Sequence, residues 1–290
     1  MEQMFKKLKN ISLDDWRFML EYGIPSRRVS IFDLRNGLLE TMEPVFFLST
    51  GRAGTMWFSE LIKQDKSVKV LHHPKPDFAV QNAKAYKLYQ LKGLKENIID
   101  EWLAEIFLAG RENHLRYSYK TDRRLIETNN AITFFAYALA NLFPRAKFIH
   151  LLRPPRKFIA SGMKRGYYSD HPQEIRRIVP NENENSWVEF SREEKIAWLW
   201  TETNTFIREF GEQVGEQRFR KFYFNDISVE GVSSVLDFIS VDYHVNALKK
   251  QIKKPVNVQK QKSEDKMVID WDKAGKIYQH EAKNLNIKIE

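Results

Sequence analysis

The fold is decided by one stretch of the sequence, Pro44-Val45-Phe46-Phe47-Leu48-Ser49-Thr50-Gly51-Arg52-Ala53-Gly54-Thr55-Met56-Trp57. Residues 45–50 form a short apolar run of strand length, residues 51–55 form a loop with two glycines, and residues 56–64 have the apolar spacing of a helix. A strand, a tight glycine-containing loop and a helix in this order are typical of proteins built on a parallel sheet.

Short strands and helices alternate along the rest of the chain. Ser191, with Glu194 three residues later, forms a capping box at the start of the longest predicted helix. The alternation predicts an α/β fold with a central, mostly parallel sheet flanked by helices, in which a ligand binds beyond the carboxyl ends of the strands. The patterns predict further strands at residues 68–71, 147–152 and 220–224, and helices at residues 97–109, 130–142, 156–164, 191–210 and 232–239.

Nothing in the sequence marks a boundary between domains. It has no internal repeat, no low-complexity tract and no linker rich in Pro, Gly or Ser. We therefore expect a single domain over residues 1–290, with a helical N-terminal extension at residues 1–40 and an α/β core at residues 41–290. Residues 1–22 have the pattern of one or two helices.

The composition excludes several classes of protein. With 42% hydrophobic and 29% charged residues the chain is neither disordered nor collagen-like, and without cysteine it has no disulfide or thiolate nucleophile. The N-terminus lacks the pattern of a secretory signal, and the longest uncharged run, residues 128–144, contains three asparagines and is shorter than a membrane span. We expect a cytoplasmic protein without a transmembrane segment; peripheral contact with a membrane stays open.

The formal net charge of +9, from 47 Lys and Arg against 38 Asp and Glu, favours an anionic ligand. A phosphorylated cofactor, an anionic acceptor and a nucleic acid would each satisfy it. No zinc-finger spacing, aromatic RNA-binding motif or basic-zipper heptad is present, so we expect no nucleic-acid partner. A lysine cluster near the C-terminus is either solvated surface or part of an anion site; its members are Lys249, Lys250, Lys253, Lys254, Lys260, Lys262 and Lys266.

The loop after the first predicted strand is a candidate anion site. Gly51 and Gly54 let the backbone turn tightly and present its N–H groups, and the following helix adds free N–H donors and the positive end of its dipole. Arg52 and the Thr55 hydroxyl add two further donors. The loop lacks the Gly-Lys-Ser/Thr ending of a Walker A motif. The pattern predicts a nest for a phosphate or sulfate group; an ordinary strand-to-helix turn is the alternative.

A second candidate lies where the strand at residues 147–152 ends. Arg153 follows this strand directly, and Ser161 lies on the next helix, about two turns in if that helix begins near Pro155. A guanidinium and a hydroxyl so placed can bind a phosphate at the carboxyl edge of the sheet. In the alternative, Arg153 makes a surface ion pair and Ser161 packs in the interior.

Both segments resemble motifs of the sulfotransferases that use 3′-phosphoadenosine 5′-phosphosulfate (PAPS). Arg52-Ala53-Gly54-Thr55-Met56-Trp57 is similar to the family's Lys/Arg-Ser-Gly-Thr-Thr-Trp, and Arg153 to Ser161 is similar to its strand-Arg-x7-Ser. Three looser matches extend the resemblance over most of the chain: Leu71-His72-His73-Pro74 resembles Leu-His-Glu-Pro, residues 198–204 resemble Trp-x-x-x-Asn, and Phe224-Asn225-Asp226-Ile227 resembles Tyr-Glu-Asp-Leu.

The resemblance implies a P-loop-like three-layer sandwich, a sulfotransferase activity and roles for individual residues. Arg52 would lie near the bridging oxygen of PAPS, and Trp57 would stack on the adenine unless it is a core residue. Arg153 and Ser161 would bind the 3′-phosphate. Ala53 and Met56 lack hydroxyls that the family often has, so backbone N–H groups would carry more of the binding. The loop that would bind the 5′-phosphosulfate comprises Gly51, Arg52, Ala53, Gly54, Thr55, Met56 and Trp57.

The expected chemistry is an in-line transfer of a sulfuryl group to an acceptor hydroxyl. The protein supplies position and charge for this reaction, and no metal is required. A neutral histidine suits the role of general base near pH 7. We predict that His73, where the family often has Glu, is this base and that His72 is the substitute, because adjacent residues of a strand point to opposite faces. A structural role is the alternative for either histidine.

Two other functions stay open at this stage. A P-loop nucleotide kinase would need a phosphate-binding lysine that the loop lacks, and a non-enzymatic nucleic-acid-binding protein would rest on the net charge alone. The acceptor is expected to be a small molecule or carbohydrate with a hydroxyl, selected by residues 75–96 and 169–191. The sequence indicates no oligomeric state. One stretch would suit an anionic carbohydrate or form a solvated amphipathic helix: Lys75, Lys84, Lys87, Lys92 and Lys95, with Tyr86 and Tyr89.

Overall fold

The computed structural model describes residues 34–91, 93–169, 172–181, 186–224, 227–253 and 268–287. Three parts of the sequence analysis lie outside the described residues. They are the predicted helices at residues 1–22, the pair Asn225-Asp226 of the last motif, and Lys92, Lys254, Lys260, Lys262 and Lys266.

Five strands form one sheet in which every neighbouring pair is parallel, in the order β2-β3-β1-β4-β5. The predicted α/β fold with a parallel sheet is confirmed. The strand predicted at residues 45–50 ends two residues earlier, and the strand predicted at residues 220–224 lies one residue earlier. The strands are β1 Val45–Leu48, β2 Val68–Leu71, β3 Arg124–Glu127, β4 Lys147–Leu152 and β5 Phe219–Tyr223.

Eleven α-helices occur in the described part of the chain, with three short turns of other helix types. The helices are α1 Leu39–Thr41, α2 Thr55–Ile62, α3 Ala79–Tyr89, α4 Glu96–Thr121, α5 Ala136–Leu142, α6 Pro155–Lys164, α7 Ser186–Glu189, α8 Arg192–Val214, α9 Val229–Phe238, α10 Val245–Ile252 and α11 Trp271–Asn284. The short turns are a π-helix at Leu34–Leu38 and 3₁₀-helices at Asn130–Phe135 and Pro172–Arg176.

The predicted helices that fall within the described residues are present with changed bounds. The helix predicted at residues 97–109 continues to Thr121, and the one predicted at residues 130–142 begins as a 3₁₀-helix before α5. At the start of α8 the backbone N–H of Ser191 donates to Glu194 Oε2 at 2.8 Å, which is the glutamate half of the capping box. No described helix has both the length and the apolar character that crossing a membrane requires.

Strand β3 is the one strand of the sheet that the sequence analysis missed. It is short, and it begins and ends with a charged residue, Arg124 and Glu127. Glu127 is fully buried because Arg111 of α4 binds both its carboxylate oxygens, at 2.8 and 2.9 Å. Burying the carboxylate without such a partner would cost several kcal/mol, on the order of the penalty for one unpaired ion. Arg111 lies on another element, 16 residues before Glu127 in the sequence. The apolar and polar pattern of β3 by itself therefore did not indicate a buried strand.

Alternating side chains of the strands build a core on each face of the sheet. Phe46 and Leu48 of β1 belong to the larger core, which α3, α4, α5, α6, α8 and α11 cover. Val45 and Phe47 belong to the smaller core, which α2, α9 and α10 cover. Helices therefore flank both faces, as the sequence predicted. All four residues of β1 are apolar and buried. The first polar residues, Ser49 and Thr50, therefore come directly after its carboxyl end.

Candidate active site

The carboxyl ends of all five strands open on one cavity of about 1070 Å³. It is lined by residues that follow each strand: Ser49 after β1, His72 after β2, Asn129 after β3, Arg153 after β4 and Phe224 after β5. Doubly wound sheets bind their ligands at this edge. Ligand cavities commonly measure about 300–1,000 Å³, so this one has room for a nucleotide and a second molecule.

The loop between β1 and α2 forms one wall of the cavity through an unusual backbone. Gly51, Arg52 and Gly54 have positive φ angles of 76°, 56° and 96°. A Cβ atom on Gly54 would lie 1.9 Å from the ring of Phe224, so only glycine fits there. No side chain caps the start of α2, and its first N–H groups have no carbonyl one turn earlier to bond. These donors suit an anion.

Of the eleven residues predicted for the site, ten line this cavity. Ala53 is the exception: its side chain is fully buried in the smaller core, so only its backbone is available to a ligand. The lining residues are Gly51, Arg52, Gly54, Thr55, Met56, Trp57, His72, His73, Arg153 and Ser161.

The two candidate anion sites that the sequence predicted are in direct contact and form a single site. Arg52 Nε donates to Ser161 Oγ at 3.4 Å, and Arg153 Nη1 donates to the backbone carbonyl of Arg52 at 2.7 Å. Burial lowers the pKa of Arg52, as does the nearby charge of Arg165. Burial likewise lowers the pKa of Arg153, and the charge of Arg52 lowers it further. Two partly buried positive charges repel each other, and an anion bound next to both would stabilise them.

A buried network fixes the backbone at the end of β4. The indole N–H of Trp200 donates to the carbonyl of Arg153 at 2.9 Å. Asn204 donates to the carbonyl of Trp200 at 2.7 Å, and its side-chain oxygen lies 2.8 Å from His150 Nε2. The motif at residues 198–204, noted above for its resemblance, therefore supports Arg153 through the backbone.

Trp57 lines the cavity as a residue that is mostly packed. Only 5% of its surface is exposed, and its ring meets Phe58 and Phe224 edge-on. Its indole N–H donates to the carbonyl of Gln251 at 3.4 Å. Stacking of Trp57 on an adenine stays a prediction.

The expectation that His72 and His73 point to opposite faces of a strand is wrong. Strand β2 ends at Leu71, and His73 has a positive φ of 53°, so the alternation of a strand no longer applies. The two ring centroids lie 4.3 Å apart, and both rings line the cavity.

The two histidines differ in what they contact. His72 Nδ1 lies 2.9 Å from the hydroxyl of Thr128, and His72 Nε2 is enclosed and has no hydrogen-bond partner among the described residues. Burial lowers the pKa of His72 to about 4, helped by the charges of His73 and Lys63. His73 is exposed to the cavity, and its pKa is lowered by burial and by Arg176 and raised by Asp77. Both rings are therefore neutral near pH 7.

Arg111 and Asn129 bind the loop that follows the two histidines, at residues 76–78. Besides binding Glu127, Arg111 donates through Nη1 to the carbonyl of Pro76 at 2.7 Å, and its guanidinium carbon lies 4.2 Å from the ring centroid of Phe78. Asn129 donates to the carbonyl of Asp77 at 3.4 Å. The buried ion pair thus connects α4, β3 and the loop, and it restricts where His73 can lie.

The cavity is strongly basic. Besides Arg52 and Arg153, five further cations line it, and the single lining carboxylate among the described residues is that of Asp77, which is paired with Arg176. One of them lies in the first turn of α6, and the other four lie at the end of α6 and in the segment after it, where no strand end pointed to them in the sequence. They are Lys157, Lys164, Arg165, Arg176 and Arg177.

The described lysines of the two lysine-rich stretches noted in the sequence do not line the cavity. Tyr86 and Tyr89 of α3 are tied by hydrogen bonds to Glu202 and Asp100, and Lys84 is exposed on the outer side of the helix. The described members of the C-terminal lysine cluster are likewise exposed and do not line the cavity: Lys249, Lys250 and Lys253.

Within the described ranges, no group of three or more His, Asp or Glu side chains is placed to hold a metal ion. The donors that line the cavity are instead N–H groups, hydroxyls and cations. These fit a phosphate or sulfate ester better than they fit a divalent cation. The expectation of a reaction without a metal stays a prediction.

The comparisons with known proteins bear on the fold. No protein-family model matches the sequence, and no curated protein matches it either. Among solved structures, the sulfotransferase domain from the curacin biosynthetic pathway is similar over 87% of this chain and 100% of that domain, with 15% identity and a TM-score of 0.52. Sulfotransferase STF9 from Mycobacterium avium is similar over 93% of this chain and 84% of its own, with 14% identity and a TM-score of 0.52.

A third solved structure extends the same likeness. The sulfotransferase domain of the Synechococcus PCC 7002 olefin synthase is similar over 87% of this chain and 98% of that domain, with 16% identity and a TM-score of 0.50. The chain therefore has the fold of bacterial sulfotransferases, as the resemblance of its motifs implied.

Proposed function

We propose that this protein is a sulfotransferase that moves a sulfuryl group from PAPS to a hydroxyl of an acceptor. One observation carries the proposal: Arg52 of the first motif is in contact with Arg153 and Ser161 of the second, beside an uncapped glycine loop in a basic cavity. The fold is that of sulfotransferases, and the donor set fits the two phosphate groups of PAPS. The loop would bind its 5′ end, and Arg153 with Ser161 its 3′-phosphate.

When bound, PAPS supplies the sulfuryl group: the acceptor oxygen bonds to sulfur as the bond from sulfur to the phosphate oxygen breaks, which leaves 3′-phosphoadenosine 5′-phosphate (PAP). Arg52 and the first N–H groups of α2 stabilise the negative charge that grows on the phosphate oxygen. His73 accepts the proton of the acceptor hydroxyl at a ring nitrogen. Arg111 holds the loop that carries His73. Because His73 is held in place before the reaction, little entropy is lost in bringing it to the acceptor hydroxyl.

The competing functions find less support in the cavity. A nucleotide kinase needs carboxylates for Mg²⁺, and Asp77, the one carboxylate that lines the cavity among the described residues, is already paired with Arg176. A nucleic-acid-binding surface would be exposed and extended, whereas the cations here line a cavity.

A thermal-shift comparison of three ligands tests the proposed class. PAP, ATP with Mg²⁺ and duplex DNA are each added to the purified protein. A ligand present at 100 times its dissociation constant stabilises the folded state by about 2.7 kcal/mol. We expect a rise in Tm with PAP alone. A larger rise with ATP and Mg²⁺, or with DNA, would refute the proposal in favour of the corresponding alternative.

Arg153→Ala is expected to weaken the binding of PAP about 10- to 100-fold, since one charge-assisted contact to a phosphate contributes about 1.5–3 kcal/mol. Isothermal titration calorimetry measures the change. Lys249→Ala serves as the matched control because it removes a positive charge from the exposed face of α10, outside the cavity. Unchanged affinity in a folded Arg153→Ala protein would remove Arg153 from the site, and equal losses in both variants would show only a general effect of charge.

A further inference from the structure

The cavity holds more positive charge than the two phosphate groups of the proposed cofactor use. Arg52 and Arg153 lie beyond the carboxyl ends of β1 and β4, and Arg52 contacts both Arg153 and Ser161. Arg165 belongs to the same end, because its charge lowers the pKa of Arg52. Arg176 and Arg177 lie on a different element, the segment that follows α6.

Arg176 lies at the histidine end of the cavity. Its guanidinium is paired with Asp77, and its charge acts directly on His73. A cation at this position lowers the pKa of the proposed base and so weakens it. Asp77 already offsets this effect on His73, and an anion bound beside Arg176 adds to that offset.

Arg177 lines the cavity next to Arg176 in sequence and stacks on an aromatic ring. Its guanidinium carbon lies 3.6 Å from the ring centroid of Tyr167, which lines the same cavity as Arg52 and Arg153. Arg177 Nε is buried and makes no hydrogen bond within the described residues, and no described carboxylate forms an ion pair with this side chain. A stacked guanidinium of this kind is pre-organised for an oxyanion.

We infer that the acceptor carries an anionic group, a phosphate, sulfate or carboxylate, which Arg176 and Arg177 bind beside the hydroxyl that is sulfated. The inference rests on the proposed function and adds to it a class of acceptor. It also assigns a role to residues 169–191, of which Arg176 and Arg177 are part. The lysines at residues 75–95 do not provide this role, since those described lie outside the cavity lining.

Calorimetry on the PAP-saturated protein tests the inference without any turnover. Two matched pairs of hydroxyl compounds are titrated: glucose 6-phosphate with glucose, and 4-hydroxybenzoate with phenol. We expect the anionic member of at least one pair to bind about tenfold tighter or better than its neutral partner. Arg176→Gln and Arg177→Gln should each abolish most of that preference.

Lys75→Gln is the control, because the charge of Lys75 also lowers the pKa of His73, but Lys75 does not line the cavity. It should keep the preference for the anion. Equal binding of the neutral and anionic members in both pairs would overturn the inference, and so would an equal loss in Lys75→Gln. Failure of PAP itself to bind would instead overturn the proposed function, so the two failures are distinguishable.

Discussion

Arg52→Ala is expected to lower kcat about 10²–10³-fold while the affinity for PAP changes much less. The charge that Arg52 stabilises grows on the leaving oxygen during the reaction, so its loss falls on the transition state, as for other donors to a developing oxyanion. Arg153 donates to the backbone carbonyl of Arg52 and not to its side chain. The substitution therefore leaves that hydrogen bond in place and removes the guanidinium with its contact to Ser161.

Steady-state kinetics with PAPS and an acceptor that supports turnover, together with PAP calorimetry, measure the two effects separately. Arg52→Lys is the informative companion, because it keeps the charge and loses the planar fork; it should recover part of kcat. If Arg52→Ala raises the KM for PAPS and leaves kcat unchanged, Arg52 binds the cofactor in the ground state and has no special role in the transition state.

The parts of the site that the sequence predicted are those with a local signal. The loop at residues 51–57 follows its strand directly, and Arg153 directly follows β4 while Ser161 lies on the next helix, α6. Each unit could be recognised because its strand, turn and helix are neighbours in sequence. That the two units meet through the contact of Arg52 with Ser161 is a property of the sheet order, in which β1 and β4 are adjacent.

The parts that the sequence did not predict depend on contacts between distant segments. Glu127 can be buried in β3 only because Arg111 of α4 is paired with it. Since β3 was not predicted, nothing in the sequence pattern indicated that Asn129, which follows it, lies in the cavity. Alternation failed for His72 and His73 because it holds only within a strand, and the chain turns after Leu71. The basic side chains of residues 164–177 belong to no strand end at all.

His73 is expected to make the largest single contribution to the rate. Its ring is exposed to the cavity, whereas the Nε2 atom of His72 is enclosed and the opposite ring nitrogen lies against Thr128. A base must reach the proton that it accepts, and His73 meets this condition better. We therefore predict that His73→Ala lowers kcat about 10²–10⁴-fold and leaves PAP binding intact, and that His72→Ala has a milder effect.

The backbone at His73 calls for a second variant. A non-glycine residue at its φ of 53° is uncommon, and asparagine tolerates the left-handed region better than alanine. His73→Asn therefore removes the base with less strain on the loop, and it should lower kcat as strongly as His73→Ala. Recovery of the rate in His73→Asn would show that the alanine variant acted by disturbing the loop. A large loss in His72→Ala with little loss in either His73 variant would make His72 the base.

The pH profile separates a proton acceptor from a merely structural histidine. Imidazolium cannot accept a proton, so kcat should fall as the pH drops through the pKa of His73. Burial, Arg176 and Lys75 hold that pKa below its ordinary value of 6.5, against the opposing effect of Asp77. The acid limb should therefore lie below pH 6.5, with full activity at neutral pH. Lys75→Gln removes one of the cations that lower this pKa, so the acid limb should move to higher pH while the plateau is unchanged. A limb that Lys75→Gln leaves in place, or that persists in His73→Asn, belongs to another group.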